Sequence, residues 1–211
     1  MKFWKERTDL AIKKLGFITL KEIQKLTLEQ FKKEDEIILI APTGSGKTLA
    51  FLLPILESLE DEQITQALII APARELALQI EQVFKSLRTN FKISCCYGGH
   101  QMKIELNNLI DKPQVIVGTP GRVADHLRRG SIHAQDIKTL VLDEFDKSLE
   151  MGFEKDIKSI TNKLEAVQKR VLVSATSGKD LPEFCKMPNP KTLQFVGDKN
   201  YQGELKSFFI K

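Results

Sequence analysis

The fold of this chain is decided by one stretch, Ile37-Ile38-Leu39-Ile40-Ala41-Pro42-Thr43-Gly44-Ser45-Gly46-Lys47-Thr48, in which a short apolar run leads into a glycine-rich loop. The apolar run has the length and the β-branched residues that are typical of a strand buried in a parallel sheet. Residues 47–59 have the apolar spacing of a helix. A strand, a glycine-rich loop and a helix in this order identify a phosphate-binding loop. The stretch therefore predicts an α/β domain built around a nucleotide site.

The residue types of the loop suit a bound phosphate group. Gly44 and Gly46 let the backbone approach an anion without a Cβ in the way, and the N–H groups at the start of the helix face that anion. We expect Lys47 to reach the β- and γ-phosphates and the Thr48 hydroxyl to bind Mg²⁺. An ordinary turn before a helix is the alternative, which the preceding strand and the Gly-Lys-Thr ending disfavour. The predicted nucleotide-binding residues of the loop are Ala41, Pro42, Thr43, Gly44, Ser45, Gly46, Lys47 and Thr48.

An acidic motif, Asp143-Glu144-Phe145-Asp146, follows a second apolar run in residues 139–142. A carboxylate at the carboxyl end of a parallel strand lies on the ligand-binding edge of an open sheet. We expect Asp143 to hold the magnesium ion, directly or through water, and Glu144 to orient and deprotonate the attacking water. A helix cap would also use Asp and Glu, but the strand before the pair disfavours that explanation. The predicted catalytic residues are Lys47, Asp143 and Glu144, with Thr48 and Asp143 as metal ligands.

Further motifs occur in the order in which a known family has them. They are Gly16-Phe17 with Ile23-Gln24, Pro72-Ala73-Arg74-Glu75-Leu76-Ala77, Gly98-Gly99, Thr119-Pro120-Gly121-Arg122 and Ser174-Ala175-Thr176. Together with the loop and the acidic motif they span nearly the whole chain, which resembles the DEAD-box RNA helicases of helicase superfamily two. The resemblance implies a RecA-like P-loop domain, with an open, mostly parallel sheet and helices on both faces. It also implies ATP and Mg²⁺ as cofactors and an RNA-dependent hydrolysis of ATP.

The resemblance assigns roles to residues outside the loop. Phe17 would stack on adenine, and the Gln24 amide would hydrogen-bond its edge. Ser174 and Thr176 would hydrogen-bond Asp146 and couple the nucleotide site to RNA. Contacts to the backbone of one RNA strand, which position the strand without reading its sequence, would come from Pro72, Arg74, Gly98, Gly99, Thr119, Pro120, Gly121 and Arg122.

Three departures from the family's pattern are present. Residues 20–22 are Leu-Lys-Glu where the family has Pro-Thr-Pro, next to the residues that would select adenine. Ala73 replaces a threonine and removes one hydroxyl from the implied RNA contacts. Phe145 replaces the alanine of the acidic motif, so a bulkier side chain must find space in the core.

Composition and charge exclude few functions. A chain of 211 residues suits one large α/β domain, and a net charge of +4 fits polyanion binding and a mixed solvated surface equally well. No apolar run is long enough to cross a membrane, and the charged residues 1–6 are unlike a signal peptide. Cys95, Cys96 and Cys185 lack metal-binding spacing, and the adjacent Cys95 and Cys96, inside an apolar strand, suit buried thiols in a reducing cytoplasm. We therefore expect a monomeric cytoplasmic domain.

Segments with the apolar pattern of strands alternate with segments that have the apolar spacing of helices, and this alternation predicts the order of the elements. Strands are expected near 36–41, 67–71, 92–97, 114–118, 139–143, 169–174 and 192–196, and helices near 4–15, 19–31, 47–59, 74–88, 100–110, 121–129, 153–165 and 179–185. Residues 1–200 are the expected ATP-binding domain. Residues 201–211 resemble the start of an interdomain connector.

In the family, a second RecA-like domain follows such a connector and supplies arginines that complete the ATP site. No stretch of this chain matches its motifs. We therefore expect the chain alone to bind ATP and single-stranded or short duplex RNA weakly and to hydrolyse ATP very slowly. It should separate short RNA duplexes only when joined to that second domain. Two other functions stay open: a non-hydrolysing, nucleotide-gated adaptor, which the intact Glu144 disfavours, and a DNA-acting helicase of the same superfamily, which residue types do not exclude.

Overall fold

A computed structural model describes residues 3–16, 19–176 and 181–195 of the chain. Its strands are β1 (Glu36–Ile40), β2 (Ala67–Ile70), β3 (Ile93–Cys96), β4 (Val115–Gly118), β5 (Thr139–Leu142), β6 (Lys169–Ser174) and β7 (Lys191–Gln194). Its α-helices are α1 (Phe3–Lys14), α2 (Glu22–Lys33), α3 (Lys47–Ser58), α4 (Arg74–Ser86), α5 (Met102–Ile110), α6 (Pro120–Arg129), α7 (Phe145–Glu150) and α8 (Glu154–Lys163). Two 3₁₀ turns cover Ala134–Asp136 and Glu183–Cys185.

All seven strands join one parallel sheet in the order β3-β4-β2-β5-β6-β1-β7. Parallel strands require crossover connections, and here the helices supply them. Because the strands run the same way, all their carboxyl ends meet at one edge of the sheet. β6 lies between β1 and β5, so the segments that follow these three strands are neighbours at that edge.

Each face of the sheet is covered by its own apolar core. Along β2, Ile69 packs with α1 to α4 on one face, where Phe31, Phe51 and Phe84 are fully buried. Leu68 and Ile70 point to the opposite face, which α5 to α8 cover. Strands that are buried on both faces explain the nearly continuous apolar runs in the sequence. The predicted fold class, an open parallel sheet with helices on both faces, is confirmed.

The predicted elements differ from the structure mainly at their ends. α2 begins after Lys21 rather than near residue 19, because the Gln24 side chain accepts a hydrogen bond from the Lys21 N–H at 2.9 Å. α5 begins at Met102, two residues later than predicted, and the short helix α7 was not predicted at all.

The helix predicted near 179–185 is wrong within the described residues 181–195. In the described part of the predicted helix, residues 181–185, the structure has a 3₁₀ turn at Glu183–Cys185 and no α-helix. Pro182 explains the failure, since proline has no N–H to donate and restricts the residue before it to extended conformations. The buried thiols predicted for Cys95 and Cys96 are confirmed, and Cys185 is free and buried as well. Within the described residues, no helix has both the length and the apolar character to cross a membrane.

Candidate nucleotide and nucleic-acid site

The predicted phosphate loop leaves the sheet at the end of β1 and continues directly into α3. Gly44 and Gly46 have φ angles of +80° and +99°, in the left-handed region that side chains with a Cβ rarely adopt. Pro42, Thr43 and Gly44 are exposed, and Thr48, the second residue of α3, is partly exposed. A loop of this shape, followed by a helix start, presents backbone N–H groups that can bind an anion.

The Lys47 side chain lies inside this loop. Its Nζ donates hydrogen bonds to the carbonyl oxygens of Ala41 at 2.7 Å and Pro42 at 2.9 Å. Burial lowers the pKa of Lys47 and outweighs the opposite effect of the charge on Asp143. The Ser45 Oγ is also buried in the loop and has no hydrogen-bond partner among the residues that the structure describes. An enclosed cation and an unpaired hydroxyl in one loop fit a phosphate group.

Residues at the start of α2 lie against the phosphate loop. Gln24 is buried, and its Nε2 would lie 2.8 Å from a Cβ on Gly46, so the amide lies directly against this glycine of the loop. The Lys21 Nζ reaches the Gly44 carbonyl oxygen at 3.4 Å on the exposed side of the loop. The structure thus brings Gln24 to the loop as expected. Phe17, the predicted adenine platform, lies outside the described residues.

The acidic motif follows β5 at the same edge of the sheet. Asp143 is only 3% exposed, and its Oδ1 accepts a hydrogen bond from the Glu144 N–H at 3.0 Å. Burial, and then the charge of Glu144, raises the pKa of the Asp143 carboxyl to about 7. The loop after β1 and the acidic motif after β5 lie at the same edge of the sheet, on either side of the segment after β6. The charges of Lys47 and Asp143 also shift each other's pKa.

Glu144 turns the chain from β5 into α7. Its φ angle is +46°, an uncommon value for a residue other than glycine, of the kind that concentrates at functional sites. The Lys147 Nζ donates a hydrogen bond to Glu144 Oε2 at 2.8 Å. Phe145 finds its space in the core under α7, where its ring meets that of Phe184 at 6.5 Å between centroids.

Asp146 contacts the segment that follows β6. Its Oδ2 accepts hydrogen bonds from the Thr176 hydroxyl at 3.0 Å and from the Ala175 N–H at 3.3 Å. Burial raises the pKa of Asp146, but hydrogen bonds with the Ser174 and Thr176 hydroxyls and with backbone N–H groups together outweigh burial. The pKa is therefore lower than its usual value. The Ser174 Oγ also lies 3.0 Å from the Thr176 carbonyl oxygen, so its single proton is within reach of two acceptors.

We expect the Asp143→Asn substitution to stabilise the folded chain at alkaline pH in the absence of magnesium. The folded-state pKa of about 7 lies above the unfolded value of about 3.9, so the ionised carboxyl opposes folding, and this penalty accumulates between about pH 4 and pH 7. Its upper bound is about 4 kcal/mol at pH 8. A gain of at least about 1 kcal/mol, or roughly 2–4 °C in melting temperature, is expected.

Thermal unfolding at pH 8 and pH 4.5, with EDTA, measures this effect. The stabilisation by Asp143→Asn is expected to shrink strongly at pH 4.5, and the matched change Asp9→Asn, at an exposed position, should show neither effect. A variant less stable than the parent chain at pH 8 would contradict the prediction.

Most of the predicted RNA-binding residues lie around an open groove of about 600 Å³, at the end of the sheet edge where β2, β3 and β4 finish. Those that line the groove are Arg74, Gly98, Thr119, Gly121 and Arg122, together with Asp125, Arg128 and Phe153. Gly99 follows Gly98 in the same turn but is not among the lining residues. Pro72 and Pro120 are buried, and Pro120 occupies the first position of α6, where its fixed φ angle favours the helix start. The structure therefore brings five of the eight predicted residues to one groove and buries the two prolines.

Contacts between the groove residues connect three separate segments of the chain. The Arg74 guanidinium lies over the Tyr97 ring at 4.9 Å, and the Tyr97 ring stacks on His100 at 5.0 Å between centroids. Arg122 donates a hydrogen bond to the His100 carbonyl oxygen at 2.7 Å.

Sequence reasoning missed two residues that shape this groove. A Cβ on Gly118 would lie 2.3 Å from the Cys96 carbonyl oxygen, so only glycine lets β4 approach β3 before the Thr119 segment. A glycine that ends a strand pattern signals such close approach. The other is Glu105, a charged residue on α5 that is fully buried. No signal in the sequence distinguishes it from an exposed helix residue.

A parallel sheet with a phosphate loop after β1 and an acidic motif after β5, two strands away, defines a P-loop nucleotide-binding domain. Comparison with known proteins then gives the family. A family profile described as "DEAD/DEAH box helicase" matches residues 21–184. The chain belongs to the DEAD/DEAH box helicase family.

Curated relatives and solved structures agree with this family. The "ATP-dependent RNA helicase DBP4" of Debaryomyces hansenii is 36% identical and matches 98% of this chain, which covers 28% of that protein. The "ATP-dependent RNA helicase CshA" of Limosilactobacillus reuteri is 38% identical over 87% of this chain and 38% of its own length. A crystal structure of a DEAD box protein from Methanococcus jannaschii superposes with a TM-score of 0.80 at 34% identity, covering 87% of this chain and 52% of that one. The chain thus spans well under half the length of these curated relatives.

Proposed function

We propose that this chain is the ATP-binding half of an RNA-dependent ATPase that separates short RNA duplexes when it is joined to a second RecA-like domain. The observation that carries the proposal is the arrangement at one sheet edge. There the phosphate loop, the acidic motif and the groove lined by Arg74 and Arg122 lie side by side. Relatives named ATP-dependent RNA helicases, which are much longer than this chain, support the same function.

In this proposal the loop and the acidic motif share the work on ATP. Lys47 leaves the Ala41 and Pro42 carbonyl oxygens and binds the terminal phosphates, while loop N–H groups and the Ser45 hydroxyl hold the others. Thr48 and Asp143 are the residues that would hold Mg²⁺, which supplies charge neutralisation for the phosphates. Glu144 orients and deprotonates the attacking water. Its position directly after Asp143, in a strained backbone conformation, supports this role.

In the same proposal, Gln24 in the first turn of α2 and Phe17, which precedes the helix in the sequence, select adenine. Gln24 hydrogen-bonds the adenine edge and Phe17 stacks on the ring, as the resemblance implies. The close approach of Gln24 to Gly46 supports this assignment, because it ties the base-reading amide to the phosphate loop.

In the same proposal, Asp146 couples the binding of ATP to the binding of RNA. The hydrogen bonds from Thr176 and Ala175 link the acidic motif after β5 to the segment after β6. Ser174 supports the same carboxylate. A change in the acidic motif can therefore reach the neighbouring segment through hydrogen bonds that the structure already contains.

The remaining assignments are part of the same proposal. The RNA strand contacts the groove through Pro72, Arg74, Gly98, Gly99, Thr119, Pro120, Gly121 and Arg122. Residues 1–200 form the ATP-binding domain, residues 201–211 begin the connector, and the domain is monomeric. Three free buried thiols suit the reducing cytoplasm.

Binding of labelled nucleic acid to the chain tests the proposal. Single-stranded RNA and DNA of equal sequence are compared at low salt, with and without a non-hydrolysable ATP analogue. We expect weak RNA binding that exceeds DNA binding, since the 2′-OH distinguishes them, and adenine nucleotide binding that exceeds guanine nucleotide binding. Equal affinity for RNA and DNA would favour a DNA-acting helicase. Absence of nucleotide binding would overturn the proposal.

We also expect Lys21 to strengthen phosphate binding, because its Nζ lies over the apex of the loop at the Gly44 carbonyl oxygen. Lys21→Met should weaken ATP binding by about twofold to fivefold, the range of an exposed charge pair, and leave adenosine binding unchanged. Lys25→Met, one turn further along α2 at another exposed position, is the matched control. Equal losses for ATP and adenosine would contradict a phosphate contact.

A further inference from the structure

Glu105 is a fully buried carboxylate beside the groove, with 0% of its surface exposed. Its Oε1 accepts a hydrogen bond from the backbone N–H of Tyr97 at 3.0 Å. The same oxygen lies 3.2 Å from His100 Nδ1. These two contacts hold both ends of the Gly98-Gly99 turn, one through the backbone before it and one through the side chain after it.

The other carboxylate oxygen contacts α6. Glu105 Oε2 lies 2.8 Å from His126 Nε2 and 3.6 Å from Arg122 Nη1. His126 is itself fully buried, and its Nδ1 lies 2.8 Å from the Ser131 hydroxyl. One carboxylate therefore joins α5, the turn after β3 and α6.

A metal site is the alternative for this cluster, because ligand atoms of Cys96, Glu105 and His126 lie within 4.8 Å of one another. The 2.8 Å separation between His126 Nε2 and Glu105 Oε2 is a hydrogen bond. Two ligands of a tetrahedral zinc ion, at about 2.0–2.2 Å from the metal, lie roughly 3.3 Å apart. Burial also raises the pKa of the Cys96 thiol, which disfavours the thiolate that a metal needs. The cluster is a hydrogen-bonded network.

Burial of a carboxylate is costly unless its oxygens are paired. All four partners of Glu105 belong to the Gly98-Gly99 turn or to α6, and Arg122 also donates to the His100 carbonyl oxygen at 2.7 Å. Without the carboxylate, the Tyr97 N–H would be left unpaired and Arg122 would lose its anion. The turn and Arg122 would then be free to leave the positions that line the groove.

We propose that Glu105 is a positioning residue for RNA: it holds the Gly98-Gly99 turn and Arg122 in the geometry that contacts the RNA backbone. The inference rests on the proposed RNA-binding function. It adds a residue that touches no RNA itself and acts through the turn and through Arg122.

The test measures binding of a fluorescein-labelled single-stranded oligouridylate to the chain over a series of salt concentrations, together with binding of a fluorescent ATP analogue. The variants are Glu105→Ala and Glu105→Met, the second of which keeps the buried volume filled, and Glu105→Gln as the conservative change. Glu57→Ala is the matched control. Glu57 is also buried, and it accepts a hydrogen bond from the Thr8 N–H at 2.7 Å near the far end of α3.

We expect Glu105→Ala and Glu105→Met to lower RNA affinity about tenfold, the cost of leaving a buried donor and a charge unpaired. The slope of log affinity against log salt should fall by about 0.7, the value for one phosphate contact on a single strand. Affinity for the ATP analogue should stay unchanged. Glu105→Gln should recover most of the affinity, because its amide oxygen can still accept from Tyr97.

The proposal is overturned if Glu105→Ala or Glu105→Met binds the oligouridylate as the parent chain does, with the same salt dependence. An equal loss in Glu57→Ala also overturns it, since the effect would then follow from stability alone. If Glu105→Ala does not fold, Glu105→Met decides. Absence of RNA binding by the parent chain is a different result, which counts against the proposed function rather than against Glu105.

Discussion

Glu144→Gln is expected to abolish turnover while ATP still binds. In the chain joined to a second RecA-like domain, the rate of RNA-stimulated ATP hydrolysis should fall by about 10²–10⁴, the contribution of a general base. Glutamine keeps an oxygen that can orient water but cannot take its proton. The exposed contact with Lys147 is lost, and such pairs contribute little to stability.

Steady-state hydrolysis and equilibrium binding of ATP, measured on the same protein, separate the two effects. Glu150→Gln is the matched control, because that carboxylate lies on α7 six positions further along the chain. If Glu144→Gln hydrolyses ATP at the parent rate, Glu144 is not the base. If the parent protein also shows no turnover despite binding ATP, the chain belongs to a nucleotide-gated adaptor.

Lys47→Ala is expected to remove most of the affinity for ATP. The Lys47 ammonium is the enclosed cation of the loop, and two charge-assisted hydrogen bonds to phosphate oxygens would contribute about 1.5–3 kcal/mol each. We therefore expect a loss of about a hundredfold or more in ATP affinity. Adenosine, which lacks phosphates, should bind the variant and the parent chain equally.

Titration calorimetry with ATP, ADP and adenosine measures this effect on the 211-residue chain. Lys85→Ala is a suitable control, because Lys85 is an exposed lysine on α4 that pairs with Glu81. ATP affinity that survives in Lys47→Ala would mean that phosphates bind elsewhere.

The parts of the fold that were predicted from the sequence are those determined by residues close together in the chain. β1 and β5 are continuous apolar runs, and buried parallel strands require such runs whatever lies around them. The Gly44 and Gly46 turn is equally local, because its backbone angles need glycine. The loop and the acidic motif each follow one of these strands directly, so both were predictable at the carboxyl edge of the sheet, where open α/β sheets bind their ligands.

The parts that sequence did not predict depend on distant contacts. Glu105 lies in a helix where its neighbours in sequence are exposed. It is buried because Tyr97 and His126, from other segments of the chain, pack against it. α7 is short and begins after the left-handed Glu144. The acidic residues of the motif suit a helix start, but the strand before them favoured a ligand-binding role instead. The prediction of a helix near 179–185 was wrong because it did not take Pro182 into account.

ATP hydrolysis measured with and without single-stranded RNA, for this chain alone and for the chain joined to a second RecA-like domain, decides whether the chain is one half of a split active site. We expect very slow hydrolysis by the chain alone. In the joined protein we expect strong stimulation by RNA, since an arginine from the second domain would be worth roughly a thousandfold in turnover. Fast, RNA-independent hydrolysis by the chain alone would contradict the account, because these 211 residues would then form a complete ATPase.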